Sequence, residues 1–168
     1  MPGSYDMFRQ YVKDYIDANF NDTISILDVG PGSGTYSNLL YDTYKNIDAV
    51  EIFAPYIEKY SLTEKYRRVI NENIVNYEFD YYDIIILGDV LEHLSIEDAT
   101  NVLNKIISRC AQLFVLVPYL YAQGVHEDNV YEVHHQPDLT PDVMNVRFPQ
   151  LGLAINNEHQ GVYLKRKK

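Results

Sequence analysis

Three groups of residues in this chain have types and spacings that can do chemistry. The first is Asp28-Val29-Gly30-Pro31-Gly32-Ser33-Gly34-Thr35, where glycine recurs at every second position after an apolar run that begins at Ile24. Glycine lets backbone amides approach a ligand closely. An apolar segment feeding such a turn into a helix makes a nucleotide-binding βα unit. The dinucleotide fingerprint G-x-G-x-x-G needs glycine at position 35, where this chain has Thr35. The second group is Glu51, about twenty residues further on, near the end of the apolar segment from Ile47 to Ile52. A carboxylate there can accept hydrogen bonds from both ribose hydroxyls of an adenosine. NAD presents the same ribose, so Glu51 by itself does not choose the cofactor.

The third group is Asp89, Glu92 and His93, at i, i+3 and i+4, which one helical turn places on a common face. A long segment from Pro118 to about Leu139 then carries His126, Glu127, Asn129, Tyr131, Glu132, His134 and His135. Loops of that length in compact domains are usually functional or disordered. Four of the five histidines lie between His93 and His135, so carboxylates and imidazoles concentrate in this half of the chain.

These groups need a scaffold, and the hydrophobic pattern supplies one. Phe8, Tyr11, Val12, Tyr15 and Ile16 recur at helical spacing. Strands are expected at Ile24 to Val29, Ile47 to Ile52, Val69-Ile70, Tyr82 to Gly88 and Leu113 to Val117. The fourth is apolar enough to be buried on both faces. Between them lie a helix carrying Tyr36, Leu39, Leu40 and Tyr44 and a helix start at Pro55. A third helix is capped by Ser95 and Asp98 and buries Ile96, Ala99, Val102, Leu103, Ile106, Ile107 and Cys110. Thr140-Pro141 starts a short helix, and Leu151 to Ile155 and Val162 to Leu164 read as closing strands. The sum is an α/β fold of 168 residues in one domain: a doubly wound, mainly parallel seven-stranded sheet with an antiparallel C-terminal hairpin.

Composition narrows the function classes. The net charge of −10, from 24 acidic and 14 basic residues, argues against a sequence-independent grip on nucleic acid. No apolar run reaches membrane-spanning length and no signal peptide pattern opens the chain, as expected of a cytoplasmic protein. Cys110 is the only cysteine and reads as a core residue rather than a nucleophile. Sixteen tyrosines could offer platforms for a sugar or ring, although a compositional bias explains them as well.

The spacing D-x-G-x-G-x-G resembles motif I of the class I S-adenosylmethionine-dependent methyltransferases, and Asp89-Val90-Leu91-Glu92-His93-Leu94 resembles a stretch many of them carry after the fourth strand. The resemblance covers roughly Ile24 to Pro118 and implies a Rossmann-like methyltransferase fold. It implies that Asp28, Gly30, Pro31, Gly32 and Gly34 cradle the methionine part of S-adenosyl-L-methionine and that Glu51 holds the ribose. Ile52, Phe53, Asn73 and Ile74 would meet the adenine, with Gly88, Asp89 and Val90 beside the methyl. Asn73 stands where the family often has an acid, and a turn residue is the equal alternative. The catalytic candidates are Asp89, His93 and His134.

The pattern D-x-x-E-H also resembles the E-x-x-E-H metal-binding turn of ubiquinone-pathway O-methyltransferases and small-RNA 2′-O-methyltransferases. Asp89, Glu92 and His93, with His134 or His126, would then hold Mg²⁺, Mn²⁺ or Zn²⁺. The departure is the shorter Asp89 where those families have glutamate. Tyr131-Glu132-Val133-His134 resembles a segment of small bacterial and viral methyltransferases linked to glycan modification. The expected reaction is O-methylation of a small polar acceptor, such as a sugar or glycan precursor. The expected partners include neither nucleic acid nor membrane, and a homodimer could complete a small open site. A non-catalytic S-adenosylmethionine-binding module or subunit is the alternative.

Overall fold

The computed structural model describes residues 8–166. Seven strands form one sheet in the order β3-β2-β1-β4-β5-β7-β6. They are β1 (Ile26–Val29), β2 (Ile47–Glu51), β3 (Arg68–Asn71), β4 (Tyr82–Gly88), β5 (Cys110–Pro118), β6 (Leu151–Asn156) and β7 (Gln160–Lys165). The first five are parallel, with Asp28 beside Ala49 and Ile86. The expected C-terminal hairpin is present, but its second strand is inserted between β5 and β6. Only β7 therefore runs against the rest of the sheet.

β4 explains why the sheet needs cover on both sides. Ile84, Ile85, Ile86 and Leu87 are all wholly buried, and alternate side chains leave opposite faces. Ile84 and Ile86 join Ile26, Ile47 and Phe114 under α1 (Arg9–Asn19) and α2 (Thr35–Leu40). Ile85 and Leu87 join Leu27, Val115 and Leu103 of the opposite core. Helices α3 (Ala54–Lys59), α4 (Leu62–Lys65), α5 (Ile96–Ile107) and α6 (Pro141–Arg147) complete the layers.

The capping box forms as expected: Ser95 Oγ accepts from the Asp98 amide at 3.0 Å and donates to the Asp98 carboxylate at 2.8 Å. Two expectations about α5 are corrected. Cys110 is buried, but as the first residue of β5, because Tyr82 pairs with it and the helix ends at Ile107. Ile96 in the first turn is 46% exposed rather than buried. The periodicity alone could not see that the chain reverses at Ser108-Arg109.

β7 is fixed by a close approach. A Cβ on Gly161 would lie 1.8 Å from the Tyr119 hydroxyl, which shares a buried 2.6 Å hydrogen bond with Tyr163. Gly161→Ala is expected to displace Tyr119, break that bond and cost about 2–4 kcal/mol. The urea unfolding midpoint checks this, and an unchanged midpoint would show that the ring moves aside freely.

Candidate active site

The strand order reverses between β1 and β4, and in such sheets ligands bind outside the carboxyl ends at that switch point. A cavity of about 400 Å³ opens there. Gly30 and Gly34 have φ of 64° and 83°, a left-handed backbone that favours glycine. A Cβ on Gly30 would come within 2.7 Å of Val90 Cγ2, so a side chain there would fill the floor where the two loops meet. The cradle thus exists only because the residue is glycine.

Glu51 ends β2 beside this loop, 4% exposed, and its Oε1 accepts from the Phe53 amide at 2.7 Å. Burial pushes its carboxyl up to about 7, against the backbone amides of Phe53, Gly32 and Ile52 that favour the charge. Asn73 and Ile74 line the far side. Asn73 Oδ1 accepts from the Val75 amide at 2.9 Å, the turn role that was the alternative reading.

Of the residues expected at the cofactor, Gly30, Gly32, Glu51, Ile52, Asn73, Ile74, Asp89 and Val90 line the cavity. Asp28, Pro31, Gly34, Phe53 and Gly88 do not line it. Phe53 packs edge-on against Tyr56, which lines the cavity in its place, with ring centroids 4.9 Å apart. Leu94, Ser95, Asp98, Val130 and His135 also line it. Of these five and Tyr56, sequence pointed to His135 alone, as one of the loop's titratable residues. Ser95 and Asp98 were legible only as a cap.

Asp28 turns away to receive the Tyr66 hydroxyl at 2.6 Å. Burial pushes its carboxyl up to about 7, with Tyr66 opposing and Glu51 reinforcing. The usual value is 3.8, so the folded chain keeps a proton that the unfolded chain loses. This contribution is fully present below about pH 4 and is lost as pH rises to about 7, amounting to about 4 kcal/mol at most. Asp28→Asn removes the titration and is expected to gain stability relative to the parent across that window. Urea midpoints at several pH values check it; parallel profiles would contradict it.

The turn after β4 is a 3-10 turn, Leu91–His93, rather than an α-helical one. Its tighter geometry separates the three expected partners. Asp89, at φ 55°, accepts from Gln160 Nε2 at 3.1 Å and lines the cavity with His93. Glu92 is buried behind them, 1% exposed, and neither carboxylate oxygen has a hydrogen-bond partner. The residues that converge are Glu92, His93 and His134, with one ligand atom of each within 4.8 Å of the others. Asp89 and His126 are not in that cluster.

The loop after β5 is bound tightly to this turn. Glu92 O accepts from the amides of His135 and Gln136, and Gln136 Nε2 donates to Leu91 O and Leu94 O. Nδ1 of His93 contacts Val133 O at 3.3 Å and Nδ1 of His134 contacts Tyr121 O at 2.8 Å. Carbonyls accept only, so each Nδ1 carries the proton and each Nε2 keeps its lone pair. Burial, then the neighbouring His134, pushes His93 down to about 4, and burial also lowers His134. Both shifts favour the neutral, ligand-competent imidazole, beside a carboxyl group whose burial pushes it well above its usual range.

Among the described residues, no helix is long and apolar enough to cross a membrane. The sequence signature of the methyltransferase domain matches residues 5–160. No curated protein sequence matches the chain. Solved structures share the fold at low identity. An S-adenosylmethionine-dependent methyltransferase from Clostridium acetobutylicum ATCC 824 superposes with a TM-score of 0.72 at 10% identity, covering 96% of this chain and 91% of that one. The small RNA methyltransferase HEN1 gives 0.72 at 15%, covering all of this chain and 26% of that one. A protein assigned as an O-methyltransferase from Nostoc punctiforme PCC 73102 gives 0.67 at 16%, covering 95% and 55%. This chain thus spans about half of the Nostoc protein and a quarter of HEN1. The signature covers nearly the whole chain and agrees with the glycine cradle and the sheet order: the chain belongs to the methyltransferase-domain family, as an S-adenosylmethionine-dependent enzyme of the class I fold.

Proposed function

We propose that this enzyme methylates a hydroxyl of a small polar acceptor, such as a sugar or glycan precursor, with a divalent ion held by Glu92, His93 and His134. The observation that carries this reading is the buried Glu92 carboxylate, both oxygens without a hydrogen-bond partner, beside the His93 and His134 imidazoles, with one ligand atom of each residue within 4.8 Å of the others. A buried carboxylate without a partner is costly, and a cation among these three side chains removes that cost. Carboxylate with imidazole suits Mg²⁺, Mn²⁺ or Zn²⁺. The Nδ1 contacts to Val133 and Tyr121 carbonyls are the orienting bonds that metal-ligating histidines ordinarily have.

When bound, S-adenosylmethionine supplies a methyl group whose bond to sulfur breaks as the bond to the acceptor oxygen forms, leaving S-adenosylhomocysteine and the hydroxyl proton. A divalent ion held by Glu92, His93 and His134 would supply positive charge beside the acceptor hydroxyls, which favours loss of a hydroxyl proton. Gly30, Gly32 and Glu51 hold the cofactor, so the reacting atoms meet already aligned. Asp89, held by Gln160, accepts a hydrogen bond from the attacking hydroxyl and takes its proton. The chain's acidic surface and the lining of the cavity disfavour a nucleic-acid acceptor.

The test is a labelled-methyl screen over sugars, phenols, amines and carboxylates, with products located by mass spectrometry. An O-methylated sugar is the expected product. Label found only on amines or carboxylates would overturn the proposal.

A further inference from the structure

We propose that the acceptor side of the cavity selects against anionic acceptors and takes a neutral ring polyol, an uncharged sugar residue bearing no phosphate or carboxylate. This rests on the reading of the site as a hydroxyl methyltransferase and names the acceptor's charge class within it.

Besides Glu51 and Glu72, three acidic side chains line the cavity: Asp89 and Asp98, which flank the 3-10 turn, and Glu132 from the loop after β5. Among the described residues, no lysine or arginine lines the cavity. Asp98 is hydrogen-bonded by the Ser95 hydroxyl, and Glu132 by Gln123 Nε2 at 2.9 Å and the Tyr56 hydroxyl at 3.3 Å. Those partners are neutral, so they orient the carboxylates without cancelling their charge. Two lysines near the cavity are engaged elsewhere: Lys59 pairs with Glu127, and Lys65 Nζ donates to Ser33 O. A divalent ion at Glu92 is first spent on that carboxylate and offsets only one further charge. Enzymes that hold phosphorylated substrates place arginine, lysine or clustered backbone amides at the anion. This wall offers the opposite sign.

The rim supplies what a neutral sugar needs instead. Tyr131 and Val130 line the cavity while remaining 48% and 59% exposed, and Tyr121 stands nearby against His134. An aromatic face packs against the C–H face of a pyranose, and carboxylates accept from its hydroxyls. The same wall repels the phosphates of an RNA end.

The experiment compares, at fixed free Mg²⁺, a hexose, its methyl glycoside, its monophosphate, the matching uronic acid and a short RNA. Both methyl transfer and binding to cofactor-loaded protein by saturation-transfer NMR are read. The neutral sugars are expected to be preferred by about 100-fold or more in kcat/KM, as like-charge juxtaposition implies. Raised salt and the double variant Asp98→Asn, Glu132→Gln should each narrow that ratio. Preference between hexose and methyl glycoside separates a free sugar from a glycan end. Equal or better use of the monophosphate, uronic acid or RNA would overturn the proposal, as would binding of neither class. Binding of neutral sugars without transfer would uphold the charge selection and overturn hydroxyl methylation.

Discussion

Glu92→Gln is expected to raise the melting temperature of the metal-free protein at pH 8, and to abolish the further rise that Mn²⁺ gives the parent. Neither carboxylate oxygen of the buried Glu92 has a hydrogen-bond partner, so the metal-free fold bears the cost of burying this group. Glutamine keeps the shape without that penalty. A ligand present at 100 times its Kd stabilises by about 2.7 kcal/mol, or about 5–10 °C for a chain of this size. Methyl transfer is expected to fall about 100-fold or more in Glu92→Gln and in His134→Ala. Affinity for S-adenosylhomocysteine should stay nearly unchanged in His134→Ala, since His134 is not among the residues that line the cavity. Transfer undiminished in excess chelator, with no metal found by elemental analysis, would remove the ion from the mechanism. Parent-like activity of His134→Ala would remove that histidine.

The second large effect concerns the cofactor. Glu51→Ala should weaken S-adenosylhomocysteine binding by about 1.5–3 kcal/mol, roughly 10- to 150-fold, through loss of charge-assisted hydrogen bonds to the ribose. Because the Glu51 carboxyl sits at about 7 in the unliganded protein, the charged acceptor is scarce below that pH and dominant above it. Parent affinity should therefore rise between pH 6 and pH 8, and Glu51→Gln should flatten the rise. Calorimetry across that range reads both. A pH-independent parent would mean that the ribose does not meet this carboxylate.

Much of the scaffold was legible because it rests on short-range rules. A run such as Tyr82 to Gly88 is too apolar for anything but a doubly covered strand, and Ser95 with Asp98 marks a helix start by its own hydrogen bonds. Glycine at 30 and 34 and the acid at 51 follow from what a βα turn can accept. What stayed hidden depends on tertiary packing. The difference between a 3-10 and an α turn moves Glu92 behind Asp89, and no spacing rule distinguishes them. Tyr56 of α3 lines the cavity, while the neighbouring Phe53 packs against its ring edge-on. Glu132 and His135 reach the site because Gln136 and the Glu92 carbonyl fasten the loop to the turn. Sequence identified those loop residues as a group, and only the fold selects which of them face inward.

The crevice at the β1–β4 switch point is expected to hold an S-adenosyl ligand through Gly30, Gly32 and Glu51. Calorimetric titration of the purified protein with S-adenosylhomocysteine, and separately with NAD, tests it most directly. Saturable binding of S-adenosylhomocysteine that Glu51→Ala weakens is expected, with no heat from NAD. Tight NAD binding with no heat from S-adenosylhomocysteine or S-adenosylmethionine would contradict it.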